Sequence, residues 1–224
     1  MCGRFTLTVD PSQLKLLLDL NDVPLDLQPR YNIAPTQLVA VVASGQDRKV
    51  EMFQWGLIPT WAKDPSIGSR MINARAETLE EKPAFRTAFK RRRCAILADG
   101  FFEWKKITEG EKETKQPYFI RMIDDRPFAF AGLWETWKSP DGEEKRTCTI
   151  ITTTPNSLMA EIHDRMPVIL DKISIWDWID PETSSIALHA LLQPYPVKQL
   201  KAYKISKLVN RPENDRLDVI TPLG

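Results

Sequence analysis

A single α+β domain, rich in strands and built on a curved, mostly antiparallel sheet or open barrel with peripheral helices, is the architecture this chain predicts. Three observations lead there. Seventeen prolines in 224 residues restrict long helices and favour short strands joined by fixed turns. Short apolar runs cluster in the middle of the chain, whereas helix-like segments lie toward its two ends. No internal repeat or low-complexity stretch divides it, so residues 1–224 read as one domain.

In chain order, Asp10-Pro11-Ser12 followed by Gln13-Leu-Lys-Leu-Leu-Leu-Asp-Leu20 reads as a capped helix of about three turns, with Pro11 at its first position. Thr36–Ala43 and Lys49–Gln54 flank Ser44-Gly-Gln-Asp-Arg48 as two arms of a hairpin. Ala84–Arg93 reads as a helix ending in four successive basic residues, and Cys94–Ala98 as a buried strand. Further strands are expected at Tyr118–Met122, Phe128–Gly132 and Thr147–Thr152, with the polar stretches Thr108–Gln116 and Ser139–Arg146 as exposed hairpin loops. Helices are expected at Pro155–Glu161, Ile173–Ile179 and Ser184–Leu192.

Composition narrows the class. Hydrophobic residues make up 42% and charged residues 27%, ordinary values for a globular domain. A formal net charge of +1 argues against coating duplex DNA by bulk attraction, while leaving room for a local basic channel. No apolar run approaches the roughly 18 residues of a membrane span. Cys2, Cys94 and Cys148 form neither an even disulfide framework nor a C-x-x-C pair. With no secretory signal, the expected setting is reducing and intracellular: bacterial cytoplasm, or the nucleus if the source is eukaryotic. No metal and no cofactor are expected.

The most telling residue is Cys2 in Met1-Cys-Gly-Arg-Phe5. Loss of the initiator methionine would leave an α-amine and a thiol on adjacent carbons, a pair that closes on an aldehyde to give a five-membered thiazolidine. An α-amine has a pKa of about 7.7–8.0 against about 10.4 for lysine, so far more of it is unprotonated at neutral pH. The alternative is a small hydrophobe buried at the start of a strand.

Three other segments place polar groups where a plain core needs none. In Met71–Thr78, alternation sets Asn73 and Arg75 on one face of an extended stretch. Glu103 sits among Phe101, Phe102 and Trp104, and an apolar setting lifts a carboxyl pKa toward the useful range. His163, one of only two histidines, titrates near neutrality and suits proton transfer. Each has a structural alternative: Glu103 as a solvated charge, His163 as a helix cap, Asn73 as a turn residue, Arg75 as a partner of Glu77. His189, within Ile186-Ala-Leu-His-Ala-Leu-Leu192, reads as structural. Lys90-Arg-Arg-Arg93 reads equally as a DNA patch or as a complement to a helix dipole.

Six segments together resemble one family: Met1-Cys-Gly-Arg-Phe5, Tyr31-Asn-Ile-Ala-Pro-Thr36, Trp55-Gly-Leu-Ile-Pro-Thr-Trp-Ala62, Asn73-Ala-Arg-Ala-Glu-Thr78, Asp99-Gly-Phe-Phe-Glu-Trp104 and His163-Asp-Arg-Met-Pro-Val-Ile-Leu170. It is the SOS response-associated peptidase (SRAP) family. The resemblance implies a compact β-rich domain with a basic groove for single-stranded DNA, and a terminal cysteine that captures the aldehyde of an abasic site as a thiazolidine. It implies Cys2 as nucleophile, Asn73 orienting the terminus or the sugar, Glu103 shuttling protons, and His163 assisting ring opening or reversal. It further implies autoproteolytic removal of the residue before the cysteine. Arg4, Arg75 and Arg165, with Arg86 more weakly, are then expected at phosphates, and Pro35, Trp61 and Trp104 at unpaired bases. The expected partner is single-stranded DNA containing abasic sites, bound covalently by a monomer, with no membrane involved. Two other readings stay open: a cysteine peptidase using Cys2 and His163 on other proteins, and a non-catalytic reader of modified bases such as 5-hydroxymethylcytosine.

Overall fold

A computed structural model describes residues 2–45, 47–109 and 112–223. Met1, Gln46 of the expected hairpin turn, Gly110 and Glu111 of the expected loop at Thr108–Gln116, and Gly224 lie outside the described residues. The first half carries β1 (Phe5–Leu7), α1 (Pro11–Leu18), β2 (Arg30–Ile33), β3 (Leu38–Ala43), β4 (Glu51–Trp55), β5 (Asn73–Arg75), α2 (Arg86–Arg91) and β6 (Arg93–Ala98). Three long strands follow β7 (Gly100–Glu109): β8 (Lys112–Met122), β9 (Phe128–Lys138) and β10 (Glu144–Thr153). The remainder holds α3 (Ser157–Ala160), β11 (Met166–Pro167), β12 (Ile169–Leu170), α4 (Ser174–Ile179), α5 (Ser185–Leu191) and β13 (Leu200–Lys204).

Pairing closes a circuit. β10 runs parallel to β4, and β4–β3, β3–β6, β6–β9 and β9–β10 are antiparallel, returning to the start. The expected curved sheet or open barrel is therefore a closed barrel, with β5, β11 and β12 added at its margin. Closure explains why β6 is buried at all six positions: one face fills the barrel and the other is covered by α4 and α2. Such a strand reads as an unbroken apolar run rather than an alternating one.

A second sheet, in the order β13-β8-β7-β1-β2, stands beside the barrel. Phe5 on β1 joins the two by meeting Trp55 and Phe130 edge-on, with ring centroids 5.2 and 5.5 Å apart. Alternation along β7 sends Phe101 to the barrel, where it meets Phe130, and Phe102 to a separate cluster with Phe119, Ile205, Val209 and Val219. Gly100 opens that strand because nothing larger fits: a Cβ there would lie 2.2 Å from the buried Phe119 ring.

The stretch Thr108–Gln116 departs from the expected loop. β7 and β8 continue through it in paired register, from Phe101 opposite Ile120 to Glu109 opposite Lys112. Its polar residues reflect a two-stranded ribbon solvated on its surface, not an absence of strand. Ser139–Arg146 is a turn only as far as Glu143, since β10 begins at Glu144. The helices fall where expected but shorter, and α1 has its cap: Asp10 accepts the Ser12 N–H at 2.8 Å, with Pro11 opening the helix.

The basic run resolves toward structure. Arg93 is buried and donates to the carbonyls of Phe89, Lys90, Trp178 and Asp180, so it satisfies the last turns of both α2 and α4. Arg92 is paired with the buried Glu135 at 2.6 Å. Among the described residues, no helix is long and apolar enough to cross a membrane.

Candidate active site

Asp99 fixes the strand that leads to Cys2. Its buried carboxylate accepts from the Thr6 hydroxyl, and from the Thr8 N–H and hydroxyl at 2.6 and 2.5 Å. Asn32, also buried, accepts the Arg4 guanidinium at 2.8 Å and donates to the carbonyls of Val209, Arg211 and Asn214. Arg4 reaches the Val209 carbonyl at 2.8 Å as well. Two of the six sequence motifs thus hold the N-terminal strand and the segment 209–214 against each other. Burial lowers the pKa of Arg4, whose side chain is engaged with protein rather than held open to solvent.

Cys2 itself is fully buried, in line with the alternative reading, and its thiol points toward the Arg4 carbonyl at 3.8 Å. Burial, followed by the field of Glu103, pushes that thiol far above its ordinary range, so it is held as S–H. Asn73 on β5 donates through Nδ2 to the Cys2 carbonyl at 2.8 Å. Glu103 on β7 is 2% exposed, and burial lifts its pKa to about 7. His163, just after α3, brings Nε2 to 4.0 Å from the Glu103 carboxylate. Its ring is partly buried, which lowers its pKa, while Asp164 opposes that shift.

Nδ1 of His163 has two close neighbours of opposite demand. The Arg165 backbone N–H donates to it at 3.1 Å, and the Asp164 carboxylate lies 2.8 Å away. The first requires a lone pair, the second a proton.

Asn73, Glu103 and His163 line one cleft of about 860 Å³, with Trp104, Asp164 and three lysines, Lys105, Lys106 and Lys115. Those lysines escaped the sequence reading. Lys106 and Lys115 are direct cross-strand partners, a relation visible only once Thr108–Gln116 is strand rather than loop. The four expected catalytic positions thus come from four separate stretches of chain: Asn73 on β5 and Glu103 on β7 line the cleft with His163 from the loop after α3, and Asn73 holds the Cys2 carbonyl.

The expected DNA contacts divide. Trp104 borders the cleft, but its indole N–H is taken by Asn210 at 2.8 Å. Arg165 is paired through both terminal nitrogens with Glu77, at 2.6 and 2.9 Å, and donates to the Thr152 carbonyl at 2.6 Å. The sequence suggests Arg75 as the partner of Glu77; Arg165 is its main partner and Arg75 adds only a weaker field. Arg75, Arg86 and Trp61 are exposed and Pro35 is half-buried, all outside the cleft lining. His189 lies on α5 at the surface with an edge contact to Phe89. Among the described residues, no group of three or more His, Cys, Asp or Glu converges to hold a metal ion.

A closed barrel with a sheet at its side, and an acid, an imidazole and a carboxamide gathered beside the Cys2 segment that leads into β1, make a candidate acid–base site. A family model described as SOS response associated peptidase (SRAP) matches residues 1–212. The chain is 45% identical over 224 residues to the abasic site processing protein YoqW of Bacillus subtilis, covering 98% of this chain and 99% of that one. It is 31% identical to the abasic site processing protein YedK of Escherichia coli, each covered in full at 100%. A crystal structure of a Bacteroides thetaiotaomicron protein matches with a TM-score of 0.86 at 29% identity, over 99% of this chain and 100% of that one. The chain belongs to the SRAP family.

Proposed function

We propose that this protein senses abasic sites in single-stranded DNA and links to them covalently through Cys2 once Met1 has been removed. The observation that carries the reading is the grip of Asn73 on the Cys2 carbonyl at the edge of a cleft lined by Glu103 and His163. The names of the relatives, abasic site processing proteins, supply the substrate class.

The freed amine of Cys2 attacks the aldehyde carbon of the ring-opened sugar. The carbinolamine loses water as Glu103 gives up its proton, leaving an iminium. The sulfur adds to the same carbon while its proton passes to the Glu103 carboxylate, and the iminium nitrogen takes back an electron pair. Aldehyde, amine and thiol enter; a thiazolidine and one water leave. A carboxyl titrating near 7 is present in both forms at neutral pH, which suits a group that must act first as acid and then as base. Imine formation is the step shared with lyases, and ring closure by sulfur diverts it from strand cleavage. The lysines along the cleft favour a polyanion, and one exposed strand with its bases unstacked fits an open groove better than duplex.

Release of Met1 is assigned to the same site: water adds to the Met1 carbonyl and the Cys2 nitrogen departs with a proton from Glu103. Intact mass of the purified protein, alone and with an abasic oligonucleotide, tests both steps. The expected result is loss of one methionine, then a gain equal to the oligonucleotide less one water. Cys2→Ala abolishes the adduct and Cys94→Ala or Cys148→Ala does not; an undiminished adduct on Cys2→Ala overturns the reading. Glu103→Gln protein retains Met1 if release is autocatalytic, and its loss there assigns the step to a separate aminopeptidase.

A further inference from the structure

His163 cannot satisfy both neighbours of its Nδ1 at once. The Arg165 N–H is part of the backbone and cannot turn away without moving the chain, whereas the Asp164 carboxylate is 87% exposed and free to swing. When the ring is neutral with its proton on Nε2, Nδ1 accepts from Arg165 and repels Asp164. When the proton sits on Nδ1, it is drawn to the Asp164 carboxylate, whose oxygen lies 2.8 Å from that nitrogen, the Arg165 N–H loses its acceptor, and Nε2 carries its lone pair on the side of Glu103.

We propose that Asp164 is a positioning residue for His163: by competing with the Arg165 backbone N–H for Nδ1, it selects the tautomer whose Nε2 faces the cleft as a base. The inference rests on the proposed capture of an abasic sugar, and it supplies a use for that base. Opening of the closed sugar requires the hydroxyl on C1′ to lose a proton as the bond from C1′ to the ring oxygen breaks and that oxygen gains one. His163 Nε2 takes the first proton and protonated Glu103, 4.0 Å from it, is placed to supply the second. Return of the proton from His163 to Glu103 restores both groups.

Among the described residues, the charged and titratable groups facing the ring are Glu103 on β7, Lys115 on β8 and Asp164. Lys105, Lys106 and Glu161 line the same cleft. Burial, and to a smaller extent the charge of Lys115, disfavour the imidazolium; Asp164 favours it. The exposure of Asp164 makes its substitution harmless to folding, and an unchanged melting temperature checks that.

The experiment is ¹⁵N NMR of the histidine side chains in the full-length protein without DNA, comparing wild type, Asp164→Ala and Asp164→Glu. Asp164→Ala is expected to move the neutral ring to the Nε2–H tautomer and to lower the titration midpoint of His163, with His189 unmoved as an internal control. Asp164→Glu is expected to restore both partly. A His163 tautomer and midpoint unchanged by Asp164→Ala overturn the proposal, as does an Asp164→Glu protein indistinguishable from Asp164→Ala. The measurement needs no substrate, so its failure is separable from failure of the covalent reading, which Cys2→Ala decides.

Discussion

Glu103 shows at the scale of one residue how function and stability pull apart. Its carboxyl binds a proton more tightly in the folded protein than in the unfolded chain, because burial penalises the charge. Between the ordinary value of 4.5 and the folded value of about 7, the native state therefore holds more protons, and stability falls as pH rises through that window. The cost above pH 7 is on the order of 3 kcal/mol, from a shift of about 2.5 units at about 1.4 kcal/mol each. Glu103→Gln is thus expected to melt higher than wild type at pH 8, with the gain largely gone at pH 4.5. Thermal unfolding at the two pH values checks it, and an equal difference at both would refute the assignment. The aromatic neighbours in the sequence signalled this setting. They did not signal Asp164, whose effect arises from which way two backbone bonds turn.

At the scale of elements, β7 does the most for the site, and its first residue is its most constrained. Gly100→Ala drives a methyl into the Phe119 ring and is expected to cost about 3 kcal/mol, as in other overpacked cores. Urea unfolding measures the loss, and adding Phe119→Leu is expected to recover part of it. Segments such as Cys94–Ala98 and Pro11–Leu18 were legible in the sequence because local chemistry decides them: an unbroken apolar run in one, a proline and an aspartate cap in the other. The ribbon through Thr108–Gln116 was not, since cross-strand partners rather than apolar alternation hold it extended. Missing it hid Lys115 and the basic edge of the cleft. The short strands β1 and β11 were hidden for a related reason: two or three residues carry no period, and only distant partners make them strands.

For the whole molecule, a net charge of +1 makes the proposed strand binding a local matter. Affinity for a single-stranded oligonucleotide is expected to fall as salt rises. Replacing Lys106 and Lys115 by alanine is expected to flatten that dependence by about 0.7 in logarithmic slope for each phosphate no longer neutralised. Fluorescence anisotropy across a salt series reads the slope; an unaltered slope removes these lysines from the interface. The tie between Arg4, Asn32 and residues 209–214 has a consequence in time as well as space. Arg4 leaves the ribosome 205 residues ahead of the Val209 carbonyl that fastens it. The N-terminal strand therefore cannot be braced until that far segment has been made, and release of Met1 by the site, as proposed, has to wait for it. Completion of the site is thus a late event in synthesis, and a chain cut short before residue 209 lacks the clasp on its first strand.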